Sequence, residues 1–349
     1  MRTPREATKS EGSGSSRTPL QDLYGTITPS SLHFERHHSG VPSLDPQTHE
    51  LVIHGLVERP LVFSMEALRR FPSVSQVNFI ECAGNGSGEQ QGNPASDVQK
   101  SHGLLSCSEW TGVPLKLLLE ETGLKPEAKW MIAEGADAAR MARSIPITKA
   151  LDDALVVYGQ NGEALRPEQG YPLRLLLPGW EGNVNIKWLH RLLLSSEPAM
   201  SVKETAFYSD LMPDGKAHIF TFEMDARSVI TSPSGGQKLG GGPGAYEISG
   251  LAWSGRGKVR EVEVSTDGGV SWSKAKLQAP VLSKAVTRFS FGWQWDGKQT
   301  WIQSRCMDET GALQPTRDEL VAAWGLNSVY HYSGIKAWHV MADGSISHV

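Results

Sequence analysis

Cysteine is scarce: Cys82, Cys107 and Cys306 are the only three in 349 residues. Three cannot all pair, and a chain of this length buries a core without covalent staples, so a disulfide framework is not expected. No two of them stand in C-x-x-C spacing, which argues against a dithiol redox pair, a zinc ribbon or an iron–sulfur site built by this chain alone. No C-x-x-C-H occurs either, so no covalent haem is expected here. Long apolar runs are missing too. Nothing approaches the roughly 20 residues of a spanning helix, and the first 25 residues hold no apolar h-region of a secretory signal, so the chain reads as soluble, either unprocessed or already trimmed. A large excess of one charge sign is absent: 34 basic residues face 38 acidic ones, with no basic block or aromatic-interleaved basic stripe, which argues against nucleic acid as a partner.

What is present reads as about two domains behind a polar lead. Residues 1–19, rich in Ser, Gly, Thr and Pro, carry too little apolar surface to offset ordering entropy and are expected to be disordered. Residues 20–220 mix strands and helices. ELVIHGLVERPLVFSMEAL holds two short strands and a helix with Ser64 as N-cap; SVSQVNFIEC alternates as a strand that ends at Cys82. TGVPLKLLLEETGLK predicts a core helix with a Leu115, Leu118, Leu119 stripe, stopped by Gly123. Asn161-Gly162 between strand-like flanks predicts a hairpin, and YPLRLLLPGWEGNVNIKWLHRLLL two further strands. The glycine-rich SPSGGQKLGGGPGAY is expected to be a boundary region or an exposed loop. Within residues 221–349, short alternating strands with an Asp267-Gly268 hairpin tip predict an immunoglobulin-like β-sandwich. The fold class is thus α+β followed by all-β.

Function is expected in loops. GNGSG after Cys82 has the wrong spacing for a dinucleotide fingerprint, and EQQGNP follows where a helix should begin. No P-loop lysine and no G-x-S-x-G elbow occurs. His49 and His54 are five apart on a strand-like stretch and point to opposite faces, so both read as structural. His37-His38 beside Arg36 sit in a Gly/Pro-bounded stretch that could be a solvated loop or part of a site. Cys82 is either a buried, inert thiol or a soft metal ligand. Its place at a strand end, before a loop with room for something bulky, favours the second, and with no further cysteine nearby the metal would have to be held by a cofactor.

HFERHHSGVP, FIECAGN, AEGADA and NGEALRPEQGYPLRLLLPGWEGNVNIKWL, in this order and spacing, resemble the sulfite oxidase family of molybdenum-cofactor enzymes. Within it, LPGWEGN, YSDLMPDGKA and QSRCMDETG look most like the molybdenum subunit of the sulfane dehydrogenase branch. That branch serves thiosulfate oxidation beside a c-type cytochrome subunit, on sulfur borne by a separate carrier protein. The resemblance implies a molybdopterin-binding domain, a C-terminal dimerisation domain, a homodimer or a heterotetramer with the cytochrome, and a periplasmic location. Export of such folded chains uses a twin-arginine signal, and none is visible here. The resemblance also implies roles: Cys82 as the thiolate on molybdenum; Phe34, Arg36, His38 and Asp137 lining the pterin; Arg174, Asn185, Ile186 and Lys187 around the pterin and its phosphate. Gln169 stands where sulfite oxidases have a histidine, and Tyr208 near the active-site tyrosine. Cys107 and Cys306 have no matching role and read as structural.

The departures bear on substrate. Where sulfite oxidases follow the CAGN stretch with two arginines, this chain has Gly86 and Ser87; AAWGLNSVYH lacks a further arginine, and SHGLLSCSEW is too short to keep a family tryptophan. Free sulfite needs charge-assisted donors, so a more open, less cationic pocket is expected, suited to sulfur on a carrier's arm. A sulfite:cytochrome c oxidoreductase is the nearest alternative, and a non-catalytic scaffold of the same fold the next.

Overall fold

A computed structural model gives the fold. It describes residues 13–348, together with Met1 and the backbone of Glu6–Ala7. The first domain is built on two five-stranded sheets. One runs, in spatial order, Glu163–Ala164, Leu155–Gln160, Leu105–Pro114, Val74–Glu81, with Arg174–Leu176 also paired to Leu155–Gln160. The other runs Leu61–Ser64, Glu50–Gly55, Leu189–Ser195, Trp130–Gly135, Ala142–Pro146, with a single parallel pairing, between Glu50–Gly55 and Leu189–Ser195. An apolar core lies between them and takes in the fully buried Leu115, Leu118 and Leu119 of the helix Leu115–Thr122. Each such leucine contributes roughly 1.5–3 kcal/mol by burial. The short helix Met65–Leu68 starts as expected, with the Ser64 hydroxyl accepting from the Ala67 amide. Asn161 and Gly162, at φ 51° and 77°, make the tight turn between strands that pair Gln160 with Glu163. His49 is buried, its Nε2 2.9 Å from the Leu189 carbonyl, which fits a structural role.

The second domain is β-rich. A four-stranded sheet, Arg227–Ser232, Gly244–Trp253, Thr287–Trp295 and Lys276–Leu277, shares a core with a five-stranded one led by Val259–Ser265 and Thr300–Asp308. Trp253, Trp295, Phe289 and Trp338 fill that core. Phe79, Leu105 and Cys107 of the first domain join it, so the two domains pack through a common apolar seam. Cys107 and Cys306 are free, fully buried thiols; burial pushes Cys107 up to about 12 and Cys306 higher still, as expected of inert side chains.

Of the two readings of the glycine-rich passage, the loop holds: it connects Arg227–Ser232 to Gly244–Trp253, which pair antiparallel, so it lies within the second domain and is no boundary. Its glycine content reports turn geometry and carries no information about which elements it joins. The lead is ordered earlier than residue 19. Gly14–Ser16 pairs with Glu35–His37, Ser16 and Thr18 are buried, and Thr18 Oγ1 lies 2.7 Å from Ser106 Oγ. Hydrogen bonds order this stretch where apolar burial could not, which composition does not reveal. Glu6–Ala7 pairs with the same strand; the remainder of the lead up to residue 12 lies outside the described residues, apart from Met1.

Candidate active site

Strand Val74–Glu81 delivers Cys82 to the rim of a cavity with about 650 Å³ of space, measured to its open mouth. The Cys82 amide donates to the Leu104 carbonyl at 3.0 Å, which fixes the loop just as the strand ends. Gly182 lets the opposite wall approach: a Cβ there would meet the Glu81 carbonyl at 2.8 Å and the Cys82 Cα at 3.4 Å. The stretch expected to be a loop holds the strand Glu35–His37, and Phe34, Arg36 and His38, together with His33 and His37, bring it and its flanks to the same cavity. Asp137, Gln169, Arg174, Asn185, Ile186, Lys187 and Tyr208 complete it. Every site residue expected from the sequence therefore meets around one cavity, drawn from segments spread from residue 34 to residue 208.

Their side chains do different work. Gln169 Nε2 donates to the Phe34 carbonyl at 2.8 Å. Asn185 Oδ1 accepts from the Leu177 amide at 2.7 Å while its Nδ2 donates to Trp180 and Glu181 carbonyls, so its amide holds the wall together. Asp137 Oδ1 accepts from the Met141 amide at 3.0 Å, tying down a turn beside the cavity. Tyr208 Oη lies 2.9 Å from His38 Nε2. Burial first, then Arg36, Lys203 and Lys187, pulls His38 down to about 3, so its ring is neutral and can accept a hydrogen bond from the tyrosine hydroxyl. Burial, reinforced by Cys82, holds the Tyr208 phenol above its ordinary value.

Two cations are sunk in the far wall. Arg174 is 3% exposed, donates to the Gln169 and Asn185 carbonyls at 3.0 and 3.2 Å, and leaves Nε buried without a partner. Burial lowers it to about 9. Lys187 Nζ donates to the Arg36 and Glu168 carbonyls at 3.0 and 2.9 Å. Burial first, then Arg174 and Arg36, pulls Lys187 from 10.5 to about 7, against the opposite pull of Glu35 and Asp137. Carbonyl partners leave both charges largely uncompensated, which is the environment that an incoming phosphate would relieve. A pH dependence follows. Above about pH 7 the unfolded chain keeps a proton that the folded chain has lost, so Lys187 makes stability of the cofactor-free protein rise with pH up to about 10.5. In thermal unfolding across that range, Lys187→Met is expected to flatten the rise; identical slopes in the two proteins would contradict it.

Cys82 itself is buried, and burial pushes its thiol up, opposed by the Gly84 amide and by Arg36. A thiol held up in this way is a poor free nucleophile and becomes a thiolate when a metal displaces its proton. Among the described residues, no three His, Cys, Asp or Glu side chains gather to hold a metal ion on their own. The donor set fits molybdopterin: one soft thiolate at the rim, and across the cavity an orphaned guanidinium nitrogen with a half-buried lysine beside it, leaving room between for the pterin.

A second, outer cavity of about 1150 Å³, again measured to its mouth, opens on the other side of Cys82. Arg36, His38, Cys82 and Tyr208 belong to both cavities and form the partition. Arg17, Lys203, Phe207 and Tyr330 add to the outer walls. The sequence did not mark Arg17, which falls in the stretch expected to be disordered, or Lys203. The signal for Lys203 was available: Ser201 and Glu204 form a capping box around it, which places that lysine on an ordered first turn. With Arg36, these two put three cations around the outer cavity. The space opened at Gly86, at φ 80°, is taken by Tyr332 and Arg227, which a Cβ there would meet at 3.0 and 3.3 Å.

Comparison with known proteins defines the class. Residues 38–203 match the oxidoreductase molybdopterin binding domain and residues 218–338 the Mo-co oxidoreductase dimerisation domain. The chain belongs to the sulfite oxidase family of molybdopterin oxidoreductases. Among individual relatives, it is 49% identical, with a TM-score of 0.97, to a chain in the crystal structure of the sulfane dehydrogenase SoxCD from Paracoccus pantotrophus, over 100% of this chain and 90% of that one. It is 29% identical to mitochondrial sulfite oxidase of Mus musculus over 90% of its own length, and 30% identical to the NADH nitrate reductase of Ulva prolifera over 93%. The chain spans only 61% and 40% of those two enzymes.

Proposed function

We propose that this molybdenum oxidoreductase oxidises sulfane sulfur held on the cysteine of a carrier protein and passes the electrons to a c-type cytochrome, in a periplasmic system for thiosulfate oxidation. The likeness to the sulfane dehydrogenase chain, over the full length and at 49% identity, carries this reading. The outer cavity supports it: a wide cleft with aromatic walls, reaching Cys82, admits a peptide arm as well as a small anion. Gly86 and Ser87 stand where sulfite oxidases place arginines, and the remaining cations, Arg17, Arg36 and Lys203, are spread around the cleft.

When bound, the molybdenum cofactor supplies two-electron redox chemistry and transfers to sulfur an oxygen drawn from water. Cys82 Sγ would hold the metal at the partition between the cavities, and Arg174 with Lys187 the phosphate. Arg36, whose guanidinium is steadied by hydrogen bonds to Ser13 Oγ and the His37 carbonyl, faces both cavities and can orient the oxygens that accumulate on the sulfur. Tyr208 can donate to the same oxygens, with His38 as its resting partner. Reaching the sulfone level takes several two-electron cycles, so the carrier arm must stay in the cleft or return to it. No haem-attachment motif occurs in the sequence, so electrons would leave to a separate cytochrome, within a homodimer or a heterotetramer formed with it.

Tyr208→Phe is expected to lower kcat on carrier-bound sulfur by about 10- to 100-fold, the worth of one hydrogen bond to a charged group, while the fold is kept. A rate within about twofold of wild type would remove Tyr208 from the mechanism. The substrate assignment is tested by steady-state cytochrome c reduction with thiosulfate-loaded carrier and with free sulfite. Efficient turnover of carrier-bound sulfur and poor turnover of sulfite is the expected pattern. The reverse would make the protein a sulfite:cytochrome c oxidoreductase.

A further inference from the structure

Next to Cys82 the chain buries a complete charge. Glu81 is 0% exposed, and strand alternation turns its side chain away from the cavity that Cys82 faces. Its Oε1 accepts from Arg227 and, at 2.8 Å, from Asn85 Nδ2; its Oε2 accepts from Trp253 Nε1 at 2.7 Å. Arg227 also donates to the Asn85 carbonyl at 3.2 Å, and its guanidinium lies 5.9 Å from the Trp253 ring centre. Asn85 closes the loop, its amide donating to the Cys82 carbonyl at 2.9 Å and its Oδ1 accepting from the Leu104 amide at 3.1 Å. Arg227 and Trp253 are direct cross-strand partners at one end of the second domain's four-stranded sheet. The same domain grips the next residue as well: the His331 amide donates to the Ala83 carbonyl at 2.8 Å.

We infer that the second domain positions the metal-binding thiolate, with Arg227 and Trp253 as positioning residues that act on Cys82 through the Glu81 carboxylate. Glu81 ends the strand and is joined to Cys82 by one peptide bond, so a shift of Glu81 toward or away from this cross-strand pair is passed to the Cys82 backbone and its Cα–Cβ bond. Residues that orient a ligand from behind typically contribute 10- to 100-fold to metal affinity or activity. The pairing also keeps an uncompensated negative charge from standing one residue from the thiolate. This inference rests on Cys82 being the metal ligand.

A suitable control lies in the same interface. Lys336 Nζ donates to both Glu89 oxygens, at 3.0 and 2.8 Å, in a buried pair that touches neither Cys82 nor Glu81. The variants are Trp253→Phe, which removes one donor and no charge, the double variant Glu81→Gln/Arg227→Met, which removes the pair without leaving a lone buried charge, and the control Glu89→Gln/Lys336→Met. Each is purified from a molybdenum-cofactor-producing host and examined for molybdenum content, thermal midpoint, the sulfur-to-metal charge-transfer band, kcat and KM. The first two are expected to keep molybdenum within about twofold, to shift the band, and to lose about tenfold or more in kcat at unchanged KM. The control is expected to lose thermal stability with its band unmoved. An unmoved band in the first two, or an equal shift in the control, would overturn the inference. If the double variant fails to hold molybdenum, Trp253→Phe decides alone. Failure of the ligand reading is seen separately, as a Cys82→Ser protein whose band matches wild type.

Discussion

Cys82→Ser is expected to give a folded protein that oxidises nothing. The substitution exchanges sulfur for oxygen in a side chain of nearly the same size, and the serine oxygen can still accept from the Gly84 amide that faces Sγ. Its neighbours Phe34, Ile80, Leu104 and Trp110 pack as before, so the thermal midpoint stays near that of wild type. The chemical change is large. A thiolate is the soft ligand that a second-row metal prefers, and a serine hydroxyl in the same buried place keeps its proton. Loss of the ligand itself should exceed the 10- to 100-fold typical of residues that only support a ligand, so a fall of more than about a hundredfold in kcat is expected. Steady-state oxidation of carrier-bound sulfur with matched molybdenum loading measures it. Retained activity would return Cys82 to the class of buried, inert thiols that Cys107 and Cys306 occupy.

Arg174→Met should separate the two states of the protein. In the cofactor-free chain the exchange removes a buried guanidinium with one orphaned nitrogen, which relieves a desolvation cost, but frees the Gln169 and Asn185 carbonyls that it held. The two effects oppose each other, and the apo thermal midpoint is expected to stay close to that of wild type. In the loaded protein the same change removes a charge-assisted donor to phosphate, worth about 1.5–3 kcal/mol, or about 10- to 100-fold in retention of the cofactor. Molybdenum and pterin content after gel filtration, beside thermal unfolding of apo and loaded protein, gives both readings. A destabilised apo form with full retention would show that Arg174 serves the fold and not the cofactor.

The site was legible in the sequence to an unusual degree because its residues sit in short motifs with strict spacing. The alternation of SVSQVNFIEC placed Cys82 at a strand end, whereas Phe34, Arg36 and His38 were marked by the family resemblance alone and read as a loop, which the structure replaces with the strand Glu35–His37. The helix Leu115–Thr122 and the Asn161-Gly162 turn were equally readable, since a leucine stripe and two positive φ values have few other uses. What the sequence hid is tertiary. Arg17 enters the outer cleft only because Gly14–Ser16 pairs with Glu35–His37, and that pairing is made by backbone groups and serines, with no apolar pattern to announce it. The role of SPSGGQKLGGGPGAY was hidden for a related reason: glycine marks a turn without saying which strands it joins. Nothing in the sequence marked Arg227 or Trp253, which meet Glu81 only where the two domains pack together.

Molybdenum X-ray absorption on wild type and Cys82→Ser, each purified with its cofactor, tests most directly the assignment on which the rest depends. One fewer sulfur neighbour around the metal in the variant is expected, with the pterin sulfurs still present. The same number of sulfurs in both proteins would place the metal away from Cys82 and contradict the site described above.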